Sequence, residues 1–165
     1  MSSEPSDENV PQNGETPAPD LPDHVKRTAI ALVGAYADRN RDELDEVIPQ
    51  AADDVDDVMS ELKVIAAFLS RRVQQTGVVW KPADSREAVA RTVAEMLPPE
   101  LEFAVSTAWE AHSVGEEEAA ERISQGDPMV FVHMLAAFSA AIGLAVYRRP
   151  ELVATLRQVT GLAED

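Results

Sequence analysis

No cysteine occurs in the 165 residues, which removes disulfides, thiolate zinc sites and cysteine nucleophiles. Aromatic residues make up only 5% of the chain against 45% hydrophobic, so a core must be built from Ala, Val, Leu and Ile. Glycines number only seven, and no run of β-branched residues is longer than two, as at Val78-Val79. Strands therefore have little to work with. Clustered lysine and arginine are also missing, and direct binding to a nucleic-acid backbone needs them. Residues 1–22 lack the basic start and apolar stretch of a signal peptide, so a cytoplasmic location is expected.

What the chain does carry is acid. The formal charge is −16. Residues 1–23 hold six acids and no base, and residues 38–61 hold ten acids against Arg39 and Arg41. The remainder is nearly balanced, with fourteen acids and twelve bases. Residues 1–22 contain five prolines and few apolar side chains. Such a segment cannot bury enough surface to offset its ordering entropy, and a disordered acidic tail is expected there. The rest, 23–165, is expected to form one all-α domain, a single helical bundle of about seven to eight helices.

The punctuation supports helices throughout. Val25, Ala29, Leu32, Val33 and Tyr36 recur at helical spacing in a first helix over 23–39, with Asn40 as a left-handed stop. A short helix over about 42–48 is expected to end at Pro49. A long one then covers roughly 50–75 and closes at Gly77. The loop 76–84 offers Trp80 as an anchor into the core. Asp84, with Glu87 three residues on, reads as a capping box opening a helix to Leu97. Pro98-Pro99 separates it from a helix over 99–112. Ser113-x-x-Glu116 is a second capping box, for a short helix to about 124 stopped by Gly126. Asp127-Pro128 starts a helix to about 148, and a last one covers 150–160.

These pieces resemble one another in two halves. ELDEVIPQ (43–50) leads into MSELKVIAAF (59–68), and EAAERISQ (118–125) leads into MVFVHMLAAF (129–138). Two pseudo-repeated three-helix units, 23–75 and 99–148 joined through 76–97, would follow. Phe68 and Phe138 would then occupy equivalent buried positions. In that alignment Asp53, Asp54, Asp56 and Asp57 fall in an insertion of the first half, as an added helix start where negative charge complements the helix dipole.

The same aspartates invite a metal reading. Asp53-Asp54-x-x-Asp57 resembles the DDxxD pattern that holds magnesium in all-α prenyl-chain enzymes. Those enzymes carry a second acidic motif and a far larger helical barrel than this chain can form. In size the chain is closer to the all-α nucleotide pyrophosphohydrolases, which pair an ExxE on one helix with an ExxD on the next. Glu43-x-x-Glu46 fits the first motif, and Asp54-x-x-Asp57 fits the second with aspartate in place of glutamate. The resemblance implies a magnesium-dependent hydrolase using Glu43, Glu46, Asp54 and Asp57, with Lys63, Arg71 and Arg72 as the nearest bases for a triphosphate. The charge pattern alone implies a solvated face. On a helical wheel Val55, Val58, Met59, Leu62, Ala66, Leu69 and Val73 form one stripe, and Asp54, Asp57 and Glu61 lie on the other side. With Asp42, Glu43, Asp45 and Glu46 they would gather at one end of the molecule.

The histidines carry little chemistry by spacing. His24 is at a helix start. His112, four residues before Glu116, reads as a helix-terminal histidine. His133, aligned with Lys63, is expected at the edge of the core. Residues 129–147 hold no formal charge and are long enough to cross a bilayer. Their alanines, together with His133, Ser139 and Gly143, favour a central buried helix, and a membrane-attached protein is the alternative. Tyr147-Arg-Arg-Pro-Glu151 fits YxxxE and resembles the C-terminal export signal of the small helical substrates of type VII secretion. The partner motif there is WxG in a helical hairpin turn, whereas Trp109-Glu110-Ala111 ends in alanine and falls inside an expected helix. The expectation that follows is a non-catalytic helical interaction or regulatory module. No cofactor is expected, and the partner would be a basic protein surface met by Asp42, Glu43, Asp45, Glu46, Asp54, Asp57 and Glu61.

Overall fold

A computed structural model describes residues 21–77, 82–116, 118, 119, 122 and 127–162. The fold is all-α, with seven helices and no strand among the described residues. They are α1 Asp23–Asp38, α2 Arg41–Asp53, α3 Val55–Thr76, α4 Pro82–Met96, α5 Pro99–Ser113, α6 Pro128–Val146 and α7 Arg149–Val159. At the centre is α6, against which α1, α3, α4 and α5 all pack. A helix in that place must be apolar all round, and in α6 every residue from Val130 to Ala137 is buried, as are Ser139, Ala140, Ile142 and Gly143. It is also the one described helix long and apolar enough to span a membrane, and most of it lies inside the bundle.

Local chemistry sets the helix ends. The Asp127 side chain accepts from the Met129 N–H at 3.1 Å, with Pro128 following as the first helical residue. Gly77 takes a left-handed φ of 76° after α3, the expected stop. Gly143 has a packing role instead. A Cβ there would lie 2.7 Å from Leu152 Cδ1, so its bareness lets α7 seat a fully buried leucine on α6.

Several boundaries depart from expectation. Pro49 does not end α2 but lies inside it, and the helix runs on to Asp53. Proline in a helix interior costs the Asp45 carbonyl its usual donor, and the chain turns a few residues later. Asp54, at φ −118° and ψ 39°, is the elbow, and α3 starts at Val55 rather than continuing one helix from 50. The two segments need different directions. Leu44, Val47 and Ala51 of α2 are buried on the side that packs on α1, whereas α3 packs its apolar stripe on α6.

The left-handed residue after α1 is Arg39, not Asn40. Asn40 instead caps α2, its side chain accepting from the Glu43 N–H at 3.1 Å. Proline is well suited to a first helical position, and α4 begins at Pro82, so Asp84 sits in its first turn rather than at its cap. Ser113 still belongs to α5 and donates back to the Glu110 carbonyl at 3.0 Å. Pro22 precedes α1, and Leu21 packs on the core, so the domain begins slightly before residue 23. The rest of the expected tail, Trp80, Gly126 and most of the short helix to 124 lie outside the described residues. Phe68 and Phe138 are both half-buried rather than buried.

Candidate functional site

The acids collect on α2 and the first turn of α3. Residues 41–57 hold eight acids against Arg41 alone. Leu44, Val47 and Ala51 take the core side of α2, which turns Asp42, Asp45, Glu46 and Asp53 to solvent. Asp56 and Asp57 are exposed as well, while Glu43 and Asp54 are half-buried. Asp42 and Glu43 lie in the first turn of α2, and Asp56 and Asp57 in that of α3, where the helix dipole favours negative charge by about 0.3–1 kcal/mol each. Asp53 is a correction, since it ends α2 instead of starting the next helix. Asp54 Oδ2 lies 3.2 Å from His24 Nε2, a contact that ties the elbow to the start of α1. Among the described residues no three Asp, Glu or His side chains converge where one metal ion could be held.

Glu61 does not join this face. It is 6% exposed, because α1 crosses α3 and covers the side that the wheel left to solvent. Burial raises the pKa of its carboxyl, and the charge of Lys26 on α1 works in the opposite direction.

A polar pair that sequence reasoning missed lies in the core. The Tyr36 oxygen is 2.6 Å from His133 Nδ1, with the rings edge to face. One of the two donates, phenol O–H to Nδ1 or Nδ1–H to the phenol oxygen, according to the imidazole tautomer. Both residues are almost wholly buried, so His133 is central rather than at the edge of the core. Burial lowers its pKa from 6.5 to about 4, against a smaller upward pull from Asp127, and burial raises that of Tyr36. At neutral pH the pair is uncharged. Its partners are 97 residues apart, and the one sequence signal was a tyrosine and a histidine each set on an apolar helix face.

Beside this pair, a slot of about 190 Å³ opens between α1, α4 and α6, lined by Tyr36, Arg39, Ala88, Thr92, Leu144 and three alanines of α6, Ala140, Ala141 and Ala145. At its mouth Arg39 pairs with Glu95. A shallower groove of about 620 Å³ runs between α4 and α5, where Phe103, 75% exposed, stands beside Arg86 and Glu110.

The other singled-out residues have local structural work. His112 stacks on Trp109 with ring centroids 5.7 Å apart and meets Phe131 and Phe138 edge-on, joining α5 to α6. Lys63 lies 5.5 Å over the Phe131 ring. In the YxxxE stretch, Tyr147 accepts from Arg72 Nε at 3.1 Å, and Glu151 accepts from the Arg148 N–H at the start of α7.

Comparison of the chain with protein-family models, with curated proteins and with solved structures returned no match.

Proposed function

We propose that the protein is a non-catalytic helical interaction module that docks its acidic end on a basic protein surface. One observation carries this proposal. Six exposed carboxylates, Asp42, Asp45, Glu46 and Asp53 of α2 with Asp56 and Asp57 in the first turn of α3, lie in a stretch whose one base is Arg41. A patch of one sign raises the local concentration of an oppositely charged partner and speeds encounter. The surface is built on two helices that the core holds rigidly, so little order has to be gained on binding. In this proposal α6 is a core helix rather than a membrane span, and the protein works in the cytoplasm without a cofactor.

The test is an NMR titration of the full chain with a lysine-rich helical peptide. Shifts should map to Asp42, Asp45, Glu46, Asp56 and Asp57, and affinity should fall steeply as sodium chloride rises past about 0.1 M. Reversing Asp45, Glu46 and Asp57 to lysine should abolish the shifts. A parallel magnesium titration separates the rival. Saturable, localised shifts at Glu43, Glu46, Asp54 and Asp57 below about 1 mM metal would replace the interaction module with the metal-dependent hydrolase.

A further inference from the structure

We infer that the acidic N-terminal segment, residues 1–20, docks in cis on an arginine patch where α3, α6 and α7 meet. This goes beyond the acidic face of α2, which is a separate surface. The helices α3 and α6 run parallel, since Lys63 lies over Phe131 and, further along both, Arg72 reaches Tyr147. Arg71 and Arg72 therefore arrive beside Arg148 and Arg149, which open α7 directly after α6. Arg71, Arg148 and Arg149 are exposed, and Arg72 is half-buried. Two acids accompany them. Asp38 lies 3.7 Å from Arg149, and Glu151 accepts from the Arg148 N–H. No ion pair holds Arg71, Arg72 or Arg148 among the described residues.

Folding does not account for all of this charge. Cations near a helix C-terminus complement the dipole, which suits Arg71 and Arg72, but a helix N-terminus disfavours them. Arg148 and Arg149 stand at the N-terminus of α7. Four cations against two carboxylates leave unmatched positive charge in a chain whose formal charge is −16. Such a surface favours an acidic occupant. The acids of α2 cannot swing across to it, because Leu44, Val47 and Ala51 fix that helix on the core. Residues 1–20 carry Glu4, Asp7, Glu8, Glu15 and Asp20 and no base.

Length and point of attachment fit the span. The segment joins the domain at Leu21 and Pro22, just ahead of α1. At that end His24 touches Asp54 before α3, and at the other end of α1 Asp38 touches Arg149. The patch is therefore one helix length away, about 24 Å for 16 residues. The thirteen residues from Glu8 to Leu21 span about 20 Å as a flexible coil and about 45 Å at full stretch. Glu4, Asp7 and Glu8 thus reach the arginines without strain. Tethering at that reach sets a local concentration of about millimolar. Exposed ion pairs too weak to hold two molecules together then suffice within one chain. An acidic partner would reach these arginines only by displacing the segment.

The chain has no cysteine, so Ser6→Cys places a single nitroxide on the full-length protein, read by broadening of backbone amide signals. At low salt, broadening should be strongest at Gln74, Gln75, Arg148 and Arg149, at least about threefold above that at Phe103 and Glu110 on α5. Raising sodium chloride to about 0.5 M should remove the contrast. Glu4→Gln, Asp7→Asn and Glu8→Gln together should do the same without touching the folded domain. So should Arg71→Gln with Arg148→Gln, both exposed, with the helical circular dichroism unchanged. An even spread of broadening, a focus elsewhere, or a pattern indifferent to the three amides would each overturn the assignment. Equal broadening of isotope-labelled chains by separate nitroxide-bearing chains would overturn it in favour of contact between copies.

Discussion

Acidification should weaken the fold through His133, and by a predictable amount. The unfolded chain binds a proton at this imidazole with a pKa of 6.5, whereas burial lowers the folded value to about 4. Between those limits the unfolded state holds a proton that the folded state refuses. Stability is therefore complete above about pH 6.5 and falls by about 1.4 kcal/mol per pH unit down to about pH 4. The full loss is about 3 kcal/mol, a large share of the ~5–15 kcal/mol that holds a typical domain together. Urea denaturation at pH 7, 6 and 5 measures it in a window that spares most carboxylates. The comparison protein is His133→Gln, which keeps a polar group for the Tyr36 hydroxyl but has nothing to titrate. The wild type should lose about 2 kcal/mol more than the variant between pH 7 and pH 5. The difference cancels His24, His112 and the acids common to both. Parallel stability curves for the two proteins would falsify the claim that His133 is buried and neutral.

Four other substitutions test the packing. Gly143→Ala should cost about 1–3 kcal/mol in denaturant, because the new methyl meets the fully buried Leu152 from three of its carbon atoms. Glu61→Gln should stabilise the protein at pH 7, since the raised pKa means the folded state disfavours the charged carboxylate. That advantage should shrink as the pH falls and Glu61 becomes neutral by itself, and a constant difference across pH would contradict it. Phe138→Ala should cost more than Phe68→Ala by about 0.5–1.5 kcal/mol, because Phe138 also meets the rings of Trp109 and His112. Thermal melts of the two variants decide that order.

Much of the helical layout was legible because its signals are local. Asp127-Pro128 starts α6 and Gly77 stops α3 through contacts within a few residues of each, so neighbours in sequence suffice to read them. The identity of α6 as the central helix was legible for a related reason. A segment with no charged residue and apolar positions on every side has to be enclosed, and α6 is enclosed by four other helices. The acids of α2 were equally readable, since Leu44 and Val47 face the core at helical spacing and leave Asp45 and Glu46 outside.

Position between helices could not be read that way. Pro49 was expected to end a helix, but a proline breaks one hydrogen bond and leaves the next turn free to form, and the packing of α2 on α1 carries the helix on to Asp53. Glu61 shares its wheel position with Asp57, yet α1 crosses one and leaves the other in water, so one is 6% exposed and the other is open. The Tyr36–His133 pair and the slot beside it draw on α1, α4 and α6. By itself the sequence determined which residues could be inside, because hydrophobic periodicity is a property of one helix. Only the tertiary structure decided which buried groups meet, because that depends on how separate helices cross.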